Sequence, residues 1–215
     1  METADAYYRN KILDIGRRLT AMGAVGVFEG NISALDRGNG RLYITPSAHG
    51  KDTLTPEMVI VTDPEGGHQE GPEGLRASSE LIMHARMYAM RPDVNACVHC
   101  HAPFSTAFAL NHTPIRTDAM AELRVMYRGE VPVLPYGEPG TEHLVDGYPD
   151  HSDKNAVLLA NHGLLTLGRD LDEAYGRTVT VESVARILFL SRLMGENVPI
   201  PPEELQKLDA IAARL

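Results

Sequence analysis

The stretch SSELIMHARMYAMRPDVNACVHCH, from Ser78 to His101, decides the fold of this chain. It predicts a helix that ends near Arg91 and then a short apolar strand that ends in two histidines. On a strand, residues two apart project to the same face, so we expect the imidazoles of His99 and His101 to reach one point. Two imidazoles and the carboxylate that opens the helix, Glu80, suit a borderline divalent metal such as zinc.

Composition limits the classes of protein to consider. The 215 residues, with 43% hydrophobic and 23% charged side chains, are enough for one globular domain or at most two small ones, and we expect one domain over residues 1–215. A net charge of −9 argues against a nucleic-acid partner, and no apolar run is long enough for a membrane span. The polar, acidic start does not resemble a signal peptide, and the two cysteines are expected to be reduced thiols. We therefore expect a cytoplasmic protein with no membrane partner.

The rest of the chain mixes predicted hairpins with predicted helices. This order predicts an α/β domain in which helices cover both faces of a mainly antiparallel sheet. We expect Ser78 or Ser79 to cap the helix that runs to about residue 91, and Asp172 to cap the helix that runs to about residue 194. The predicted helices cover residues 4–22, 78–91, 102–110, 141–145, 172–194 and 202–215, with one more short helix that begins near residue 55. The predicted strands cover 27–35, 41–45, 59–62, 94–101, 131–134 and 155–167, the last as a pair.

A third histidine, His162, lies between two predicted apolar strands. A lone histidine in such a place is more often a core residue that hydrogen-bonds to the backbone. The nearby pair of histidines and Glu80 favour a metal ligand instead. His84 shares the helix face of Glu80, so it is an alternative partner or ligand.

Three small polar segments predict an anion site. They contain Gly30, Asn31 and Ser33, then Thr45 and Ser47, then Ser78 and Ser79. Backbone N–H groups and nearby hydroxyls of this kind suit a phosphate, although each segment alone is more often structural.

The positions of the lysines help to distinguish between two reaction types. There are four, and none lies in an apolar stretch where burial would lower its pKa for Schiff-base chemistry: Lys11, Lys51, Lys154 and Lys207. Metal-based activation of a carbonyl group therefore fits better than an imine mechanism.

Taken together and in order, these motifs resemble the class II aldolase/adducin family over roughly residues 8–195. The resemblance rests on five segments that follow one another along the chain: GNIS at 30–33, ITPS at 44–47, SSE at 78–80, RPD through HCHA at 91–102, and NHG at 161–163.

The resemblance implies a fold, a site and an assembly. The fold is a three-layer α/β/α arrangement, and the protein is a homotetramer with active sites between subunits. A divalent cation, usually Zn²⁺ with Mn²⁺ or Co²⁺ as alternatives, is held by His99, His101 and His162, with Glu80 as a displaceable ligand and acid/base. Phosphate binding falls to Gly30, Asn31, Ser47, Ser78 and Ser79.

The implied reaction is cleavage of a phosphorylated sugar, a small-molecule sugar 1-phosphate of the fuculose or ribulose type. The products are dihydroxyacetone phosphate and an aldehyde, formed through a metal-stabilised enediolate. Alternatives within the family are decarboxylation, epimerisation or dehydration of a phosphorylated keto sugar or keto acid. A non-catalytic, adducin-like scaffold is a more remote alternative.

This chain departs from the family pattern at the aldehyde end of the site. Ala48 stands where aldolases of this family have glycine, and the tyrosine expected from a neighbouring subunit falls near Ala121. Asp118, Glu122 and Tyr127 are the candidates for the missing proton donor. Glu80 itself favours an aldolase over an epimerase, because the resemblance implies an aspartate at this position in the epimerase branch.

Overall fold

A computed structural model describes residues 3–127 and 129–214, and within them ten strands and six α-helices follow one another. The helices are α1 (Ala4–Ala21), α2 (Leu81–Met90), α3 (Pro103–Leu110), α4 (Ala121–Tyr127), α5 (Leu171–Met194) and α6 (Pro202–Ala212). The strands are β1 (Asn31–Asp36), β2 (Arg41–Ile44), β3 (Ile60–Thr62), β4 (Gln69–Glu70), β5 (Ala96–Cys100), β6 (Ile115–Arg116), β7 (Glu130–Val131), β8 (Val133–Leu134), β9 (Ala156–Leu159) and β10 (Gly163–Gly168). Single 3₁₀ turns cover Pro56–Met58, Glu142–Val145 and Tyr148–His151.

The central sheet has eight strands in the order β4-β3-β2-β1-β5-β10-β9-β8. Every neighbouring pair is antiparallel except β8 and β9, which are parallel. The short strands β6 and β7 form a separate antiparallel pair. The predicted α/β class with a mainly antiparallel sheet is confirmed.

Helices cover both faces of this sheet, as a three-layer fold requires. One apolar cluster joins α1, α3, α4 and α5 to one face, and a second joins α2 and the 3₁₀ turns at 142–151 to the other. The alternation of side chains along β5 divides it between them, because Val98 and Cys100 belong to the first cluster and Cys97 to the second. His99 therefore points towards α2.

Several element boundaries differ from the prediction for local reasons. Strand β1 begins at Asn31 and not at residue 27, because Gly30 has φ +70° and breaks the extended backbone. The prediction of Asp172 as a helix cap was wrong: Asp170 is the N-cap of α5, and its side chain accepts from the backbone N–H of Glu173. The serine cap of α2 was also wrong, since Glu80 occupies the N-cap position.

The chain between residues 112 and 140 is more regular than its glycines and prolines indicate. It contains α4 and the pair β6–β7, and Pro132 divides the predicted strand 131–134 into β7 and β8. Helix α6 ends at Ala212, and the predicted end at Leu215 lies outside the described residues. Among the described residues, no helix is both long and apolar enough to cross a membrane.

One expectation about the lysines was wrong. Lys51 is only 2% exposed, and burial lowers the pKa of its ammonium group to about 8. Its Nζ donates to the carbonyl oxygen of His49 at 2.7 Å. The polar sequence around Lys51 gave no sign of this burial, which comes from packing of the loop against Gly16 of α1.

Candidate metal and phosphate site

Strands β5 and β10 bring the three predicted histidines together. His99 lies on β5 opposite Leu165 of β10, His101 follows the end of β5, and His162 immediately precedes β10. Gly163 permits this close approach, because a Cβ atom there would lie 2.5 Å from the carbonyl oxygen of Cys100 and 2.8 Å from the His101 ring.

The three imidazoles meet through their Nε2 atoms. His99 Nε2 lies 3.2 Å from His101 Nε2 and 3.1 Å from His162 Nε2. The three rings pack edge-on to one another, with centroids 4.7–5.1 Å apart. These histidines form a group that could hold a metal ion.

The Glu80 carboxylate completes this group from the start of α2. Its Oε2 lies 3.3 Å from His99 Nε2, its Oε1 lies 3.1 Å from His162 Nε2, and the residue is 7% exposed. Burial raises the pKa of Glu80, whereas hydrogen bonds from His162 and Asn31 to the carboxylate lower it. The pKa of Glu80 therefore lies well below its ordinary value, and the side chain is an anion at neutral pH.

The protonation of His99 suits a cation. Its Nδ1 lies 2.9 Å from the carbonyl oxygen of Leu164, so Nδ1–H donates and Nε2 carries a lone pair. Burial lowers the pKa of His99 to about 3, which keeps the ring neutral. That lone pair faces two other imidazole nitrogens and a carboxylate.

The donor set fits a small divalent cation. With Zn–N bonds of about 2.0–2.1 Å, ligand nitrogens in a tetrahedral shell lie about 3.3 Å apart, close to the separations observed. Imidazole nitrogens with one carboxylate are a zinc-type shell. Glu29 Oε2 lies 3.9 Å from His101 Nδ1, on the outer side of that ring. His162 Nδ1 is buried and has no hydrogen-bond partner among the described residues.

The three small polar segments lie side by side next to this group. The backbone N–H of Ser47 donates to the carbonyl of Arg76 at 3.0 Å, and that of Ser78 donates to the carbonyl of Thr45 at 3.1 Å. The Thr45 hydroxyl in turn accepts from the backbone N–H of Ile32. The segments predicted to bind phosphate, although up to 49 residues apart along the chain, thus occupy one region beside Glu80.

The segment residues differ in how accessible they are. Ser79 is exposed, Ser47 and Gly30 are half-buried, and Ser78 is buried. The Ser78 hydroxyl accepts from the backbone N–H of Glu80 at 3.3 Å. The amide of Asn31 is engaged elsewhere, because its Nδ2 donates to Glu80 Oε2 at 2.7 Å.

Behind Glu80, the helix α2 and the strand β1 share a buried polar chain. Asn31 Oδ1 lies 2.5 Å from His84 Nε2, and the Ser33 hydroxyl lies 2.6 Å from both His84 Nδ1 and the Tyr88 hydroxyl. Both ring nitrogens of His84 are therefore occupied, which removes it as an alternative metal ligand.

The structure does not bring the predicted proton donors to the histidines within one chain. Tyr127 is 5% exposed and its hydroxyl donates to the backbone carbonyl of Arg177 at 3.1 Å. Burial raises the pKa of Tyr127, although Arg177 opposes this rise. Asp118 pairs with Arg116 at 2.8 Å, and Glu122 is exposed on α4. The catalytic roles of Tyr127 and Asp118 stay predictions that these contacts do not favour.

Sequence reasoning missed Tyr88 as a neighbour of the site, and it placed Ser33 in a phosphate segment, whereas the Ser33 hydroxyl is buried and contacts His84. A signal was present: residues 80, 84 and 88 are polar at a spacing of four on a helix that is apolar elsewhere except at Arg86, and residues 31 and 33 are polar two apart on a strand. Each set lies on one face of its element, and two such buried polar faces need one another.

Comparison with known proteins gives a consistent result. The family described as "Class II Aldolase and Adducin N-terminal domain" matches residues 10–189. The chain is 31% identical over 201 residues to a 5-deoxy-D-ribulose 1-phosphate aldolase of Bacillus thuringiensis serovar kurstaki, with 93% of this chain and 92% of that protein covered. It is 33% identical over 202 residues to a 5-methylthioribulose-1-phosphate/5-deoxyribulose-1-phosphate aldolase of Rhodospirillum rubrum, with 93% and 88% covered.

A solved structure of an L-fuculose 1-phosphate aldolase superposes on the chain with a TM-score of 0.86 at 28% identity. The match covers 98% of this chain and 97% of the other.

Proposed function

We propose, because this chain belongs to the class II aldolase and adducin family, that it is a metal-dependent aldolase for a 5-deoxyribulose 1-phosphate type of sugar. Cleavage between C3 and C4 would give dihydroxyacetone phosphate and a short aldehyde. The observation that carries the proposal is the convergence of three imidazole Nε2 atoms and the Glu80 carboxylate. They lie beside the three small polar segments that the sequence predicts to bind phosphate. We further propose that residues 1–215 form one domain, since both apolar clusters pack on a single sheet.

The metal site would be formed by His99, His101 and His162, with Glu80 as the fourth group. A divalent cation bound there supplies Lewis acidity that draws charge from the ketone and hydroxyl oxygens of a substrate. We propose Zn²⁺ over Mn²⁺ or Co²⁺, because imidazole nitrogens predominate in the donor set.

The phosphate would lie against Ser47, Ser78 and Ser79, with the backbone N–H of Gly30. Hydroxyls and backbone N–H groups bind a phosphate without needing a net positive surface, which fits an acidic protein. Asn31 joins this set only when Glu80 releases its amide, because Glu80 Oε2 now accepts from Nδ2 at 2.7 Å.

Glu80 would move the proton at C3. When the bond between C3 and C4 breaks, its electron pair stays on the dihydroxyacetone phosphate fragment, and C3 then needs a proton. Glu80 is an anion in the free protein, so it would first take up a proton from solvent when a substrate binds. It would then deliver that proton to C3, because its carboxyl group lies among the predicted ligands and not at the surface. The hydroxyl at C4 loses its proton as the aldehyde carbonyl forms.

The acceptor of that C4 proton would come from a second copy of the chain. Tyr127 and Asp118 are engaged elsewhere, and large apolar side chains near the end of α5 are exposed, among them Leu193 and Met194. We propose a homotetramer with active sites at subunit boundaries, in which the neighbouring subunit supplies this group.

The test is a cleavage assay with 5-deoxyribulose 1-phosphate and purified, zinc-loaded protein. Dihydroxyacetone phosphate is followed by NADH oxidation through glycerol-3-phosphate dehydrogenase. We expect metal-dependent turnover that Glu80→Gln abolishes and that L-fuculose 1-phosphate supports more weakly. Failure to cleave either sugar with zinc bound, together with carbon dioxide release from a phosphorylated 3-keto acid, would overturn the proposal in favour of decarboxylation.

A further inference from the structure

A chain of buried hydrogen bonds ends on Glu80, and neither the metal site nor the phosphate segments account for it. The chain runs from the Tyr88 hydroxyl through Ser33, His84 and Asn31 to Glu80 Oε2. His84 has no exposed surface, and Ser33 and Tyr88 are buried as well. Groups buried this deeply must be satisfied by one another.

The direction of every hydrogen bond in this chain follows from its end at the Glu80 carboxylate. The Glu80 carboxylate can only accept, so Asn31 turns its NH₂ group towards it and its Oδ1 towards His84. Because Oδ1 also can only accept, His84 must carry its hydrogen on Nε2.

The remaining bonds are then determined in the same way. The ring is fully buried and both of its partners, Asn31 and Ser33, are uncharged, so the ring is neutral and its Nδ1 has a lone pair. The single hydrogen of the Ser33 hydroxyl donates to that lone pair, and the Tyr88 hydroxyl donates to Ser33. All four hydrogen bonds therefore point towards Glu80.

We propose that His84 is a positioning residue. In the protein without substrate it holds the Asn31 amide with its N–H group towards Glu80, and this fixes the orientation of that carboxylate. Without the Nε2–H donor, the Asn31 amide is free to rotate and to present its oxygen to a carboxylate, which repels it. The role rests on the proposed function only for its catalytic consequence, since the orientation itself is a property of the protein without substrate.

The first test measures the tautomer of His84 directly. In protein labelled with ¹⁵N-histidine, long-range ¹H–¹⁵N spectra distinguish a protonated Nε2 from a protonated Nδ1. We expect a neutral His84 with hydrogen on Nε2 and an accepting Nδ1, assigned by the loss of its signals in His84→Gln. A hydrogen on Nδ1 would overturn the proposal, and this result does not depend on any enzymatic activity.

The second test compares two substitutions of similar polarity. In His84→Gln the side-chain amide nitrogen is as many bonds from Cβ as the imidazole Nε2, so a donor to Asn31 remains. In His84→Asn the amide is one bond shorter, so it matches Nδ1 and reaches only towards Ser33. We expect His84→Asn to weaken zinc binding about ten- to hundredfold, and kcat/KM by a similar factor, with His84→Gln within about threefold of the wild type.

The two readouts separate the two proposals. Zinc affinity, measured by competition with a chromophoric chelator, needs no substrate. If the wild type cleaves no sugar phosphate but the tautomer and the zinc affinities behave as expected, the positioning role stands and the aldolase proposal falls. If cleavage is found but the two variants bind zinc equally well, the positioning role falls alone.

Discussion

Replacing Gly163 by alanine should damage the site, because it adds a methyl group where β5 and β10 approach closely. The added Cβ would lie 2.5 Å from the Cys100 carbonyl oxygen, where ordinary contacts begin at 3.4 Å, so β10 and β5 must separate locally by about 0.9 Å. The same Cβ would lie 2.8 Å from the His101 ring and 3.2 Å from the His99 ring. The substitution therefore displaces two of the three predicted ligands.

We expect two measurable effects of Gly163→Ala. Overpacking in a rigid part of the sheet should lower the free energy of unfolding of the metal-free protein by about 1–3 kcal/mol. Displacement of the imidazoles should weaken zinc binding by about tenfold or more. Chemical denaturation and chelator competition measure the two quantities separately.

Gly176→Ala is the matched control. Gly176 lies on the exposed side of α5, and a Cβ there would meet no atom within 4 Å. Because glycine disfavours a helix interior, this change should raise the free energy of unfolding by about 0.5–1 kcal/mol and leave zinc binding unchanged. If Gly163→Ala matches the control in both measurements, the close approach of β5 and β10 at the histidines does not exist.

Three further predictions concern stability away from the histidines. Between pH 8 and 10.5 the unfolded chain holds the Lys51 proton that the folded chain releases, so the stability of the wild type relative to Lys51→Met should rise with pH through that range. Urea denaturation at each pH measures this, and a difference that stays constant would contradict the burial of the Lys51 ammonium group. Glu182→Gln should lower the free energy of unfolding by about 1–3 kcal/mol, because the Glu182 carboxylate accepts three hydrogen bonds at the start of α3, from the backbone N–H groups of Phe104 and Ser105 and from the Ser105 hydroxyl. An unchanged denaturation midpoint would refute this. Ala48→Gly should raise the free energy of unfolding by about 0.5–1 kcal/mol, because Ala48 has φ +57°, and a loss of stability would show that this backbone is not left-handed in solution.

The local parts of the site could be predicted from the sequence because they depend on periodicity. The two-residue spacing of His99 and His101 on a strand, and the position of Glu80 at a helix start, place side chains without knowledge of the rest of the fold. The glycine that the resemblance implies at position 48 would suit the left-handed backbone that Ala48 has there.

The remaining features depend on contacts between distant segments, which periodicity does not determine. The burial of Lys51 arises from loop packing against α1, and no local signal in a polar loop predicts it. The capture of the Asn31 amide by Glu80 requires the register that places Asn31 opposite His99 and beneath α2. The inward position of Tyr127 likewise follows from the packing of α4. The prolines and glycines around this helix prevented its prediction from the sequence.

Anomalous diffraction at the zinc edge, from crystals of the zinc-loaded protein, tests the central claim most directly. The account predicts one strong peak enclosed by the Nε2 atoms of His99, His101 and His162, with Glu80 beside it. Crystals soaked in zinc that show no peak between these side chains, or a peak bound elsewhere, would contradict it.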